Sequence, residues 1–171
     1  MDADALRALQ APLKARYKED GAAAILTLKA SGQIDESKIA CKVETGRAIA
    51  EAGLHPFTGG SGAELCSGDM LLEALVACAG VTLKAVSTAL GIDLKAGRVS
   101  AEGDLDFRGT LGVAKEAPVG FQAIRLAFDL DTDAGEEQIA QLIKLTERYC
   151  VVFQTLKQSP ASTVTVRTGK A

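Results

Sequence analysis

Apolar positions crowd most densely between Ser67 and Leu90 (SGDMLLEALVACAGVTLKAVSTAL), where Met70, Leu71, Leu72, Leu75, Val76, Val81, Leu83 and Val86 leave almost no polar face. A helix that is apolar on all sides packs inside protein, so this segment is expected to be the central core helix. Its ends are marked in the residue types. Ser67 is a suitable N-cap, Asp69 puts negative charge in the first turn, and Gly91 supplies a left-handed stop after Leu90. Asp69, Glu73 and Lys84 interrupt the run, which argues against a bilayer span.

Period-dependent patterns organise the rest. Ala3 to Asp20 reads as an amphipathic helix with Leu6, Leu9, Leu13 and Tyr17 on one stripe and Pro12 as a possible break. Ile25–Ser31 and Lys38–Thr45 alternate with period two and are joined by Gly32–Ser37, which predicts a hairpin. Gly46–Leu65 is turn-rich, with Gly53, Pro56, Gly59, Gly60 and Gly62. Val99–Arg108 and Phe121–Asp131 alternate again and read as antiparallel strands. A second long helix is predicted from Gly135 to about Gln158, opened by the Asp133/Glu136 pair and ended by Pro160. Thr163–Thr168 (TVTVRT) reads as a closing strand. Antiparallel strands between buried helices make the expected class α+β, with residues 1–24 as an N-terminal helical extension and 25–171 as one domain.

Composition narrows the function. At 171 residues and 47% hydrophobic, the chain is long enough for a real core. A net charge of −3 with interspersed signs offers no basic face for nucleic acid or an anionic membrane. No charged n-region precedes an apolar h-region, so a cytoplasmic location is expected. The four cysteines, Cys41, Cys66, Cys78 and Cys150, are too scattered for a disulfide scaffold. Without Cys-x-x-Cys or His-rich spacing no metal is expected, and Gly59, Gly60 and Gly62 do not form a phosphate-cradling motif, so no cofactor is expected. The single histidine, His55, lies beside Pro56 and Phe57 in the turn-rich stretch, where His55 and Phe57 are candidates for the mouth of a pocket.

Cys78 and Cys150 occupy comparable places on the two long helices. A single buried cysteine is most often a small hydrophobe. The sequences around this pair add more: GDMLLEALVACAG followed by ERYCVVFQTL resembles the OsmC/Ohr family of osmotically inducible and organic-hydroperoxide-resistance proteins, over most of the chain from Ile25 onward. The resemblance implies the OsmC-like fold, with antiparallel sheets wrapped around two long central helices in an intertwined homodimer. It also implies a cysteine-based peroxidase acting on organic hydroperoxides, with Cys78 attacking, Cys150 resolving, and an external dithiol of lipoyl or thioredoxin type as reductant. The family places a glutamate ten residues before the first cysteine, where this chain has Gly68, and an arginine from the N-terminal region. Asp69 and Glu73 are the nearest carboxylates in the helix, but at 100° per residue neither shares the face of Cys78. Arg47 is the best-placed arginine and Arg148 the reserve. Cys66, close to the helix start, is an alternative disulfide partner. The competing reading is a non-catalytic small-molecule-binding protein on the same fold, with structural cysteines.

Overall fold

The computed structural model describes residues 2–5, 8, 10, 11, 15, 19, 31–34, 40–44, 49–112 and 114–169, with the backbone path alone for 31–34, 40–44 and 49. The described positions between 3 and 19 are helical. Three short strands, β1 (Ser31–Ile34), β2 (Ala40–Glu44) and β3 (Ile49–Gly53), form an antiparallel meander, and β4 (Leu65–Cys66) pairs parallel with β3. The hairpin therefore exists, but its first strand lies where the turn Gly32–Ser37 was expected. Residues 25–30 lie outside the described residues. The turn-rich stretch contains β3, then a short 3-10 turn at Pro56–Thr58.

The chain passes straight from β4 into the central helix α1 (Ser67–Leu90). Cys66, still extended at φ −83 and ψ 130, is the N-cap, and Ser67 is the first helical residue rather than the cap. Gly91 adopts φ 69 and its N–H reaches the Ser87 and Thr88 carbonyls, which is the expected left-handed stop. Next come β5 (Ala96–Asp104), a four-residue helix α2 (Phe107–Thr110) capped by Asp106, and β6 (Ala123–Asp131). β5 and β6 pair antiparallel in continuous register from Ala96↔Asp131 to Asp104↔Ala123. Alternation sorts their faces. Val99, Ala101, Ile124, Leu126, Phe128 and Leu130 turn to the helices, while Arg125 bridges Glu102 and Asp104 on the outside, at 3.3 and 2.8 Å.

Three expectations need correction. The second long helix is two helices, α3 (Glu136–Tyr149) and α4 (Val151–Lys157), with Cys150 non-helical between them at φ −73 and ψ 105. Neither Gly nor Pro marks that break. The opening is capped by Gly135, whose N–H donates to Gln138 Oε1 at 3.2 Å, rather than by Asp133. The closing strand is not formed: residues 161–168 have no regular structure, and Val164 and Val166 are 92% and 78% exposed. Among the described residues no strand pairs with this segment.

The central helix is also less enclosed than its composition predicts. Leu75, Ala79, Leu83 and Ser87 form its buried row, packed on β5, α3 and α4, whereas Leu71, Ala74, Ala77 and Val81 line an open face, with Val81 73% exposed. By length and composition α1 is apolar enough to cross a bilayer despite its three charges. Its contacts with a sheet and two helices are those of a core element. Two apolar clusters hold the helices to the sheet, one around Leu75, Ala79 and Cys150 and one around Leu83, Ile92 and Leu142. Leu142 is completely buried, so Leu142→Ala is expected to destabilise the protein by about 2–5 kcal/mol, measured as a lowered urea midpoint at unchanged slope.

Candidate active site

The break after Tyr149 builds the site. Where a helix starts, its first amides have no partner within it, so interrupting the α3–α4 line at Cys150 releases N–H groups that one continuous helix would have used. The Val151 and Val152 amides act on the sulfur of Cys78, in the middle of α1, to lower its pKa. The thiol of Cys150 and the hydroxyl of Thr82, one turn farther along α1, act in the same direction. Cys78 packs against the buried cluster that contains Cys150, and both thiols are free.

Their environments push them apart. Burial acts to raise the Cys78 pKa, but the hydrogen bonds from Val152, Cys150, Val151 and Thr82 outweigh it and hold the thiol below its ordinary value. For Cys150, which is buried, desolvation dominates. The nearby Cys78 sulfur adds to that effect, and the thiol is pushed up, although the Phe153 and Val152 amides oppose the shift. Cys78 is therefore the more acidic of the two thiols and Cys150 the one that holds its proton longer. A nucleophile and a proton-bearing partner in contact are what disulfide chemistry requires.

The walls are apolar. Val99, Ala101, Ile124, Leu126 and Phe128 from the sheet, and Val152, Phe153 and Leu156 from α4, pack with Cys78 on the buried cluster of Leu75, Ala79 and Cys150. Beside them opens a groove of about 400 Å³ between α1, β6 and α4, lined chiefly by Leu75, Phe121, Ile124, Leu126, Phe153 and Leu156, with Gln122 and Lys157 as its polar members.

The other residues singled out by the sequence lie elsewhere. Asp69 and Glu73 are exposed on α1 and line a separate shallow pocket with Val76 and Ala77. Arg148 is exposed, its guanidinium 5.8 Å over the Tyr149 ring. Arg47 and the side chain of Cys41 lie outside the described residues. His55 and Phe57 do not line the groove: His55 Nδ1 accepts from the Phe57 N–H at 3.1 Å, capping the 3-10 turn, and stacks on Phe107 at 5.1 Å. Gly68 sits against apolar neighbours, its absent Cβ within 3.5 Å of Phe121 and 3.7 Å of Leu105. Cys66 and Cys78 are twelve residues apart on one helical path, about 18 Å by the helical rise, so they do not form a bridge within one chain. The break between α3 and α4 at Cys150 was missed, because nothing local announces it.

The family model for OsmC-like protein matches residues 60–165, which takes in both cysteine helices and the β5–β6 sheet. The chain belongs to the OsmC-like protein family. Solved structures agree on the fold. An OsmC-like protein from Mycoplasma pneumoniae superposes with a TM-score of 0.64 at 16% identity, covering 78% of this chain and 89% of that one. An organic hydroperoxide resistance protein from Elizabethkingia anophelis gives 0.63 at 15% identity, covering 79% and 91%. The organic hydroperoxide resistance protein OsmC from Legionella pneumophila gives 0.61 at 14%, covering 78% and 91%. Among curated proteins none matches the sequence. The α+β arrangement of sheets and helices described above is thus the OsmC-like fold.

Proposed function

We propose that this OsmC-like protein is a thiol-dependent peroxidase for organic hydroperoxides. The observation that carries the reading is that Cys78 packs against the buried cluster holding Cys150 inside an apolar wall, with the Cys78 pKa lowered and the Cys150 pKa raised. The Cys78 sulfur attacks the terminal peroxide oxygen and the O–O bond breaks. This leaves Cys78 as a sulfenic acid and releases an alkoxide, which takes a proton from water to become the alcohol. The Cys150 sulfur then displaces hydroxide from the sulfenic acid and loses its own proton, giving a Cys78–Cys150 disulfide and water. An external dithiol, of lipoyl or thioredoxin type, reduces that disulfide and is itself oxidised. The groove favours a substrate with a bulky apolar group over hydrogen peroxide, since burying each methylene contributes roughly 0.8 kcal/mol.

The working unit in this reading is a homodimer. The open apolar face of α1, with Leu71, Ala74, Ala77 and Val81, and the unpaired TVTVRT tail are two surfaces that a second copy would cover. A symmetric pairing through α1 covers the same residues on both copies.

The test is intact mass and disulfide mapping of the reduced protein before and after about one equivalent of cumene hydroperoxide, with hydrogen peroxide in parallel. The expected result is loss of two hydrogens localised to Cys78 and Cys150, faster with the organic peroxide. An unchanged mass would favour the alternative of a small-molecule-binding protein with structural cysteines.

A further inference from the structure

Phe121 lines the groove beside the cysteine cluster, although the strand pattern would turn it away. In β6 the side chains of Ile124, Leu126, Phe128 and Leu130 face the helices, so alternation gives position 121 the outward parity of Ala123 and Arg125. The backbone bends at Gln122 before β6 begins, and the Gln122 N–H donates to the Asp104 carbonyl at 2.8 Å, at the end of β5. That bend carries the Phe121 ring in against α1 and β5.

The inward row of β5 makes room for the ring. Val99, Ala101 and Gly103 lie on that row, and their side chains shrink toward the end of the strand. A Cβ on Gly103 would stand 2.5 Å from Phe121 Cε1 and 2.6 Å from Cδ1, far inside the contact distance of two carbons. A Cβ on Gly68, in the first turn of α1, would touch the tip of the same ring at 3.5 Å. The ring thus occupies space that two glycines leave open, and a strand glycine is a common mark of such close approach. Phe121 also shares the groove with Leu75, Ile124, Leu126, Phe153 and Leu156, all of which belong to the apolar cluster around Cys78 and Cys150. Groove and thiols have walls in common, and Phe121 lies farther out along the chain of β6.

We infer that Phe121 is a specificity-determining residue: its ring, seated on Gly103 and Gly68, walls the groove and fixes the size of the organic group that lies beside the cysteines. This rests on the reading of the groove as the place where the apolar group of a hydroperoxide binds. A rigid aromatic ring held between a helix and a strand sets its limit by shape, because dense packing leaves little room for overlap. A compact group gains contact with the ring, and a larger one collides with it.

The experiment titrates the intact reduced protein with two unreactive alcohols, 2-phenyl-2-propanol and the larger 1,1-diphenylethanol, and reads both affinities from amide chemical shifts. The ratio of the two affinities is expected to move about tenfold toward the larger alcohol in Phe121→Ala. Gly103→Ala puts a methyl group into the seat of the ring. It should change the ratio by about threefold or more when Phe121 is present and leave it unchanged in the double variant with Phe121→Ala. If Phe121→Ala does not melt cooperatively, Phe121→Leu is read in the same way. An unchanged ratio in a folded Phe121 variant overturns the assignment, and so does a parent in which the Leu75, Ile124 and Leu156 amides respond to neither alcohol. A Gly103→Ala effect that persists without Phe121 overturns the seating of the ring. Disulfide formation with cumene hydroperoxide is followed alongside. A parent that forms no disulfide removes the peroxidase reading, and the alcohol ratio still decides whether Phe121 sets the size of what the groove admits.

Discussion

Cys78→Ser is expected to reduce peroxide consumption to the uncatalysed background and to abolish disulfide formation at Cys150. Serine matches the side chain in size and leaves the apolar wall of Val99, Ala101, Leu126 and Phe153 in place, so the variant should melt as the parent does. What disappears is the ionisable sulfur. The surroundings that lower the Cys78 pKa do not bring a serine hydroxyl near ionisation at neutral pH. Cys150→Ser is the informative counterpart. Its hydroxyl occupies the same place but does not condense with a sulfenic acid, so Cys78 should stop at that stage and become trappable by dimedone after a single turnover. Peroxide consumption by Cys78→Ser at the parent rate, followed by a ferrous-xylenol orange assay, would remove the assignment of Cys78 as the attacking thiol.

The second large effect concerns assembly. Val81→Asp is expected to convert a dimer into monomers, weakening association by at least two orders of magnitude. Val81 lies at the middle of the open α1 face, 73% exposed in the single chain, one helical row with Leu71, Ala74 and Ala77. In a symmetric pairing the substitution would bury two like charges among apolar groups, and an uncompensated buried charge costs about 3–5 kcal/mol. Sedimentation velocity of the parent and the variant over a concentration series reads this directly. A parent that sediments as a monomer at all concentrations would refute the dimer, and a dimeric Val81→Asp would move the interface away from α1. Because Val81 sits away from the buried row of Leu75, Ala79, Leu83 and Ser87, the fold of each copy should survive the change.

Much of the architecture could be read from residue order because its signals are local. Gly91 at φ 69 ends α1 where a left-handed residue was expected, and β6 occupies Ala123–Asp131 almost as its alternation predicted. The two cysteine segments were recognisable because each sits in a long run of characteristic neighbours, and the family match over residues 60–165 agrees with that resemblance. The misreadings share another origin. Thr163–Thr168 carries a sound strand pattern, yet strand formation depends on an available edge rather than on the segment itself. Val151 and Val152 looked like the continuation of a helix because no Gly or Pro interrupts them. The open face of α1 was taken as buried because hydropathy records that a surface avoids water, without recording which molecule covers it.

Residue order alone was sufficient for the class of fold, the position of the central helix and the cysteine segments that carry the family resemblance, since periodicity, capping and local motif are properties of neighbouring residues. Only the folded chain decided that Cys78 packs against the cluster holding Cys150, and that the Cys78 pKa is lowered while that of Cys150 is raised. Those outcomes depend on where a helix half a chain away is interrupted. A thiol's ionisation is set by the donors and the burial that distant segments bring within a few ångströms of it, and no local pattern carries that information.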